Sequence, residues 1–469
     1  MKFFPEDNDR ERLLAEDSKE FLVDEILRLR RENRELQEVN KRILEELEKF
    51  RAKEQLRKAN IEIRSKQRKK RWKKLGAPLG HPGYTRPRPE IIDHVVEQTL
   101  GKCPDCGQDD LKPCASKTQT HVQEDIVMAK VEATEFVRRG YWCPHCQAIK
   151  EAPYAPEEIP HSYLGPNILI QTVIMKYHQG LSFEKIRQFF KDFCNLTVTD
   201  SALAQALQRI SGWLKVEEDV IAQAIRASPY MHINETGWKI AGANHWLWNF
   251  VNERLALYRI RRSRGRAVPQ EIMTDNYQGI VLSDFLSAYD HCGRLRQRCL
   301  VHLKRDMKHV QLIDPSLESQ RAYKKLNRIL NDAYRLNSLR PTLDAVSFVR
   351  RLHRLNARLL DFALHPYQAK HWQRLSKRLL KYHDEILTFL KVPKLAHDNN
   401  LVERMIRPNV IMRKISFQNM STKGARAHEV LMSLLQTLRL RDQNPFDFFK
   451  QSYLAHRKGN LIPLASLKI

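Results

Sequence analysis

After Pro229 the hydrophobic pattern changes period, and this change constrains the fold more than any other feature of the chain. "YMHINE", "HWLWNFVN" and "LALYRIRR" are three short strand-like runs separated by turns, as an antiparallel meander requires. A helical stretch around "AVPQEIMTD" follows, then a fourth strand, "GIVLSDF", which Asp284 ends, and then "RLRQRCLVHL". The region from Leu303 to Lys391 is rich in Leu, Arg and Lys at helical spacing and predicts an all-helical insertion. Beyond it "DNNLVERMIRPNVIMRK", residues 398 to 414, predicts a late helix on which Asn400, Glu403, Arg404 and Arg407 share one face.

Upstream, Cys103-Pro-Asp-Cys106 and Cys143-Pro-His-Cys146 flank a segment of strand-like alternation. Two such knuckles on hairpin tips offer four thiolates for one tetrahedral, structural Zn2+, the arrangement of a zinc ribbon. Four sulfurs leave no open position for catalysis. Cys114 has no paired partner nearby and reads as a spectator. Residues 165 to about 215 read as helices: Gly180-Leu-Ser182 makes a break and an N-cap before "FEKIRQFFKDF", and "TVTDSALAQALQRISGWL" starts another helix. Helix, turn, helix in a basic protein suggests a DNA-reading module, and ordinary helical pairs look the same.

Further upstream an unbroken heptad places Leu22, Leu29, Leu36 and Ile43 at one seam position and Ile26, Asn33, Asn40 and Leu47 at the other. Asn at two a positions favours a parallel two-stranded coiled coil, hence a homodimer or higher oligomer. From Lys49 to Lys74 there are 13 basic and two acidic residues, among them Arg68, Lys69, Lys70, Arg71, Lys73 and Lys74. Cations so placed contact DNA phosphates and give affinity without sequence choice. "GAPLGHPGYTRPRP" then breaks any helix and reads as a linker. With 81 Lys and Arg against 55 Asp and Glu, a formal +26, a polyanionic partner is expected. Double-stranded DNA is favoured over an acidic membrane, since no basic amphipathic helix with a strong apolar face accompanies the charge. RNA is disfavoured because no run of aromatics suggests a single-strand platform. The start lacks the apolar core of a signal peptide and no stretch approaches the roughly 18 apolar residues of a membrane span, so a cytoplasmic location, on the nucleoid when DNA is bound, is expected.

"HINETGWKIAGANHWLW", "GIVLSDFLSAYD", "RCLVHLKRDM" and "DNNLVERMIRPNVIMRKISFQNMSTKGA" together resemble the insertion-sequence-66 family of transposases. The resemblance extends to the zipper-like helix, the linker, the double CxxC and the helices before the first strand. It implies a multidomain α+β chain whose ribonuclease H-like catalytic domain, with a helical insertion, carries an acid-acid-glutamate triad and two Mg2+ or Mn2+ ions. It also implies binding to the ends of the chain's own element and to target DNA, and accessory proteins from the same element. By resemblance Asp284 and Glu403 take the second and third triad positions. The first falls on Asn234, because the family has Asp-Glu-Thr where this chain has Asn-Glu-Thr.

Two divalent ions about 4 Å apart need a bridging carboxylate, and an amide offers only one neutral oxygen. Glu235 is the possible substitute ligand, but successive strand residues face opposite sides of a sheet. Two functions therefore stay open: a transposase that cleaves and transfers strands, or a catalytically silent, zinc-containing DNA-binding dimer. Arg404, Arg407, Arg413 and Lys414 fit phosphate contacts to the bound strand. Cys299 and His302 read as packing and polar support, and Trp238, Trp246 and Trp248 as sheet core. The expected organisation is a zipper-like helix at 1–56, a basic segment and linker at 57–92, a zinc-ribbon-like domain at 93–160 and a helix-turn-helix-like domain at 161–226. The catalytic core follows at 227–302, its helical insertion at 303–391, and the remaining core helices and tail at 392–469.

Overall fold

A computed structural model describes residues 25–40, 88–98, 100, 102–109, 112, 122–123, 130–274 and 277–457. The chain forms two compact units, 76–299 with 391–469, and 1–75 with 300–390. It is a mixed α+β protein.

In the first of these units a short hairpin, β1 (Gly140–Cys143) and β2 (Ala148–Glu151), carries the second cysteine pair at its tip. The expected alternation predicts strand earlier than it occurs, since residues 131–139 have no regular structure. Four helices follow: α1 (Pro166–Val173), which runs into a π turn at Ile174–His178, α2 (Phe183–Cys194), α3 (Asp200–Trp213) and α4 (Lys215–Ala227). Ser182 Oγ accepts from Lys185 N and Thr199 Oγ1 from Ala202 N, so α2 and α3 start at the side-chain caps their sequence provides.

The sheet has five strands in the order β5-β4-β3-β6-β7. These are β3 (Tyr230–Ile240), β4 (Ala243–Val251), β5 (Ala256–Arg261), β6 (Ile280–Ser283) and β7 (Leu295–Arg298). β3, β4 and β5 pair antiparallel, while β6 lies parallel to β3, and β7 to β6. The turn from β3 to β4 is two residues, Ala241 (φ 47°) and Gly242 (φ 79°), the doubly left-handed turn that matches strand twist. Between β5 and β6 lies α5 (Ala267–Met273).

Helices α10 (Asn400–Ser416), α11 (Thr422–Leu440) and α12 (Pro445–Arg457) complete this unit. α11 is buried along most of its length. Its polar residues Glu429, Ser433 and Thr437, four apart, accept the backbone N–H groups of Ile260, Tyr258 and Ala256, two apart. Four residues of helix advance about 6 Å and two of strand about 6.8 Å, so one helical stripe can cover a strand edge that would otherwise stay unpaired. Met231, Ile233, Leu247 and Phe250 from the sheet share one core with Ile170, Leu207, Ile210 and Ile225 of the upstream helices and with Leu431, Leu434 and Leu438 of α11. The expected boundary at 226/227 is therefore no division of the core. Glu218 of α4, fully buried, reinforces the join by pairing with Arg259 on β5 and Arg426 on α11.

The other unit is helical where described. Leu300–Ile313, Leu317–Ser338, Ala345–Leu364 and Lys370–Lys381 are α6 to α9, followed by two short turns ending at Lys391. Their core contains Leu326, Leu330, Leu359, Phe362, Trp372 and Leu379, and Trp372 Nε1 donates to Ser319 Oγ at 2.8 Å. Residues 25–40 are helical, with Ile26, Leu29 and Leu36 of the heptad seam exposed. Asn33 and Asn40 of the seam are exposed on the same helix, whereas Leu22, Ile43 and Leu47, and Arg68, Lys69, Lys70, Arg71, Lys73 and Lys74, lie outside the described residues.

Candidate functional site

The parallel side of the sheet sets the site. Tyr230, Met231 and His232 pair in order with Ile280, Val281 and Leu282. Two residues beyond the last of these pairs are Asn234, within β3, and Asp284, just past the carboxyl end of β6, so the register places them on neighbouring strands near the end of the parallel pairing, where open parallel sheets bind ligands. Asn234 is half-buried, and its Oδ1 accepts the N–H of Glu235 at 3.0 Å.

Alternation fixes which face each side chain takes. Asn234 aligns across the sheet with Asn249 and then Tyr258, whose hydroxyl donates to Met405 O of α10. The Asn234 face therefore lies under α10, the helix that carries Glu403 in its first turn. Asn399, buried at the start of this helix, joins it to β3 and to the residue just past β7. Its Nδ2 donates to Ile233 O at 2.8 Å, its Oδ1 meets His232 Nδ1 at 2.9 Å, and its backbone N–H donates to Cys299 Sγ at 3.2 Å. Because Nδ2 serves as the donor to Ile233, Oδ1 is the acceptor, and His232 must hold its proton on Nδ1. Burial pushes the His232 pKa down, which keeps the ring neutral. Glu403 stands one turn past this clamp, and its N–H bonds Asn399 O. The register thus sets positions 234 and 284 on neighbouring strands, and Asn399 anchors to β3 the start of the helix that carries Glu403.

Asp284 is held from behind by an arginine that sequence reasoning missed. Arg298, fully buried at the end of β7, donates to Asp284 O at 2.9 Å and to the carboxylate of Asp290 at 2.8 Å. Asp284 Oδ1 accepts Leu286 N–H at 2.9 Å, which fixes the carboxylate's orientation. The one available signal was an arginine inside an otherwise strand-like run.

Glu235 faces the other way. It aligns with Trp248 and Arg259, accepts from Arg264 Nε and Nη2 at 3.0 and 2.7 Å, and takes a short hydrogen bond from Tyr289. Arg264 also lies over the Trp246 ring, 4.5 Å from its centroid. Burial pushes the Glu235 pKa up, the Tyr289 hydrogen bond opposes this, and the charge of nearby Asp284 adds to the rise. Glu235 therefore ties β3 to the loop after Asp284. Trp238 and Trp248 are core, as expected, and Trp246 is half-buried beneath Arg264.

Of the cations on α10, Arg404, Arg407 and Lys414 are exposed, while Arg413 donates to Thr236 Oγ1 at 3.1 Å and to Gly237 O, which binds the helix to β3. Cys103 and Cys143 each open a tight turn. The N–H groups of Cys106 and Asp105 hold the Cys103 thiol below its ordinary pKa, and Cys146 and His145 act alike on Cys143. Such donors suit a thiolate ligand. Among the described residues no three His, Cys, Asp or Glu side chains are gathered to hold a metal, so the two cysteine pairs are formed but not brought together, and the sheet end offers two acids and an amide.

A model of the family described as "Transposase IS66 family" matches residues 161–427, and one described as "zinc-finger binding domain of transposase IS66" matches residues 101–147. Among curated proteins the chain is similar to three from Sinorhizobium fredii (strain NBRC 101917 / NGR234). "Uncharacterized protein y4hP" is 22% identical over 402 residues, 77% of this chain and 72% of the relative. "Uncharacterized protein y4qI" is 22% identical over 342 residues, 65% and 62% of the two chains, and "Uncharacterized protein y4jD" 22% over 356 residues, 69% and 68%.

Proposed function

The chain belongs to the IS66 family of transposases, and from that premise we propose that it binds the ends of its element as an oligomer and carries a ribonuclease H-like cleavage centre weakened at one of its three metal-binding positions. The strand order, the register that sets Asn234 beside Asp284, and the packing of the start of the Glu403 helix on β3 support the fold and the site. Divalent ions held there, Mg2+ or Mn2+, would supply activation of the attacking oxygen and stabilisation of the leaving one. Asp284 and Glu403 suit hard cations, and Asn234 does not complete a bridging set. The observation that carries the reading is the commitment of both residues at the first position: Asn234 Oδ1 already accepts the Glu235 N–H, and Glu235 is buried on the opposite face with Arg264 and Tyr289. The zinc-finger match supports one structural Zn2+ on Cys103, Cys106, Cys143 and Cys146, an ion that would have to draw the two separate turns together. The exposed heptad seam at Ile26, Leu29 and Leu36 favours self-association.

The test is nicking of labelled duplex DNA bearing the element ends, with Mg2+ and then Mn2+, comparing the chain as it stands with Asn234→Asp and with Asn234→Asp/Asp284→Ala. Cleavage by Asn234→Asp alone supports the reading. Equal cleavage by the chain as it stands removes position 234 from the metal site. A chain that binds DNA but cleaves in no variant is the silent binding protein. Zinc content measured on purified protein should be one ion per chain, lost on replacing Cys143 and Cys146 by Ser.

A further inference from the structure

The exposed stripe of α10 continues past Glu403 through Arg404, Arg407, Ile411 and Lys414, residues three or four apart, with Ile415 four residues after Ile411, and ends on Phe417. Phe417 is 85% exposed and Met420, three residues on, is 80% exposed. Phe417 also has left-handed backbone, φ 53°, followed by Gln418 at φ 78°. A bulky residue seldom occupies the position just past a helix end, where glycine is the usual choice, and it strains the backbone there.

The surroundings hold that strain in place. Asn419 Oδ1 accepts from Trp238 Nε1 at 2.8 Å, Asn419 O accepts from Ala241 N at 2.9 Å, and Asn419 bridges to Ile240 at the end of β3. An aromatic ring and a thioether are thus fixed in solvent on a rigid tip. Lys239, Lys414 and Lys423 are exposed around it, and neither 237–245 nor 407–424 contains an acid. An apolar tip without acids, ringed by cations, fits a polyanion with apolar faces, which is nucleic acid, better than a protein surface.

We infer that Phe417, with Met420 beside it, is a wedge that stacks on a base of the bound DNA, while Arg404, Arg407 and Lys414 hold the phosphates along the same stripe. This rests on the DNA-binding reading above. Fourteen residues of helix span about 21 Å, so the wedge meets the DNA roughly six base steps from the phosphate at Glu403. Stacking of this kind is indifferent to sequence and opens a base step.

Phe417→Gly in the full chain tests the wedge, because glycine suits the left-handed backbone and leaves the fold as stable or slightly more so. The probe is duplex DNA carrying 2-aminopurine at successive positions, with affinity followed against salt. Phe417→Gly should lose roughly tenfold in affinity and the 2-aminopurine fluorescence rise, with the salt slope unchanged because no cation is removed. Phe417→Trp should restore both. Unchanged affinity and fluorescence in Phe417→Gly overturn the wedge while leaving DNA binding intact. A change of oligomeric state with unaltered DNA binding overturns it in favour of a protein-facing tip. Failure of the unaltered chain to bind DNA overturns it together with the function it rests on.

Discussion

The two faces of β3 hold neighbours in opposite conditions. Under α10, His232 and Asn234 lie with Asn249 and Tyr258, and Asn234 sits half-buried beside the place of Asp284. On the other face Glu235 lies with Trp248 and Arg259, buried and bonded to Arg264 and Tyr289, and Arg259 in turn pairs with the buried Glu218. The acidic face is the one that holds the protein together, and the face aimed at chemistry has an amide. Both oxygens of Glu235 are engaged, one by the Arg264 cation and the other by Tyr289, which leaves it poorly placed to take a metal ion. Charge counted along the chain would give position 235 the catalytic role, whereas pairing in space assigns it to the fold.

Exchange of acids between the two faces tests this most sharply. Asn234→Asp should raise Mg2+-dependent nicking on the order of a hundredfold or more, since a metal-bound carboxylate supplies several kcal/mol and each 1.36 kcal/mol is tenfold in rate. Glu235→Gln in that background should change the rate by far less. If instead Glu235→Gln abolishes nicking by the chain as it stands, the assignment of faces to functions is reversed.

The paired face should matter to stability in proportion to its burial. Glu218→Ala leaves Arg259 buried without its main partner, and breaking a buried pair from one side costs about 3–5 kcal/mol. That is a large part of a typical domain's stability, so the urea midpoint should fall steeply at an unchanged slope. A midpoint close to that of the unaltered chain would mean that solvent reaches Arg259, and the second face would not be the structural one.

Much of this arrangement was legible in the sequence, for identifiable reasons. The strands of the meander announced themselves by period two, and the starts of α2 and α3 by Ser182 and Thr199, because both signals are local. The roles of Asp284 and Glu403 come from the resemblance alone, which implies the second and third triad positions for them. What stayed hidden depends on contacts distant in the chain: Arg298 around Asp284, Asn399 between β3 and α10, and the Glu429, Ser433, Thr437 stripe on the edge of β5. Polar residues four apart along this helix are visible in the sequence, but only the neighbouring strand shows what they bond. Arg413 reads as a phosphate contact in sequence and lies against Thr236 and Gly237 in space, because the sequence shows its charge and not its direction.

The smallest expected effect concerns whether Glu235 rests as an acid or as an ion. Burial raises its pKa above the ordinary 4.5, and the Tyr289 and Arg264 bonds only partly oppose the rise. A group whose folded pKa is raised stabilises the fold fully below the unfolded value, and that contribution is lost as pH climbs through the folded value. The melting temperature of the unaltered chain, relative to Glu235→Gln, should therefore be highest below about pH 4.5 and decline as pH rises from there through the folded value. Thermal unfolding of both proteins at stepped pH measures that difference, and subtracting the variant removes the titration of all other groups. A difference that grows with pH would show Arg264 dominating and Glu235 ionised throughout. The face opposite Asn234 would then carry a fixed negative charge close to Asp284, and the contrast between the two faces would be one of direction alone.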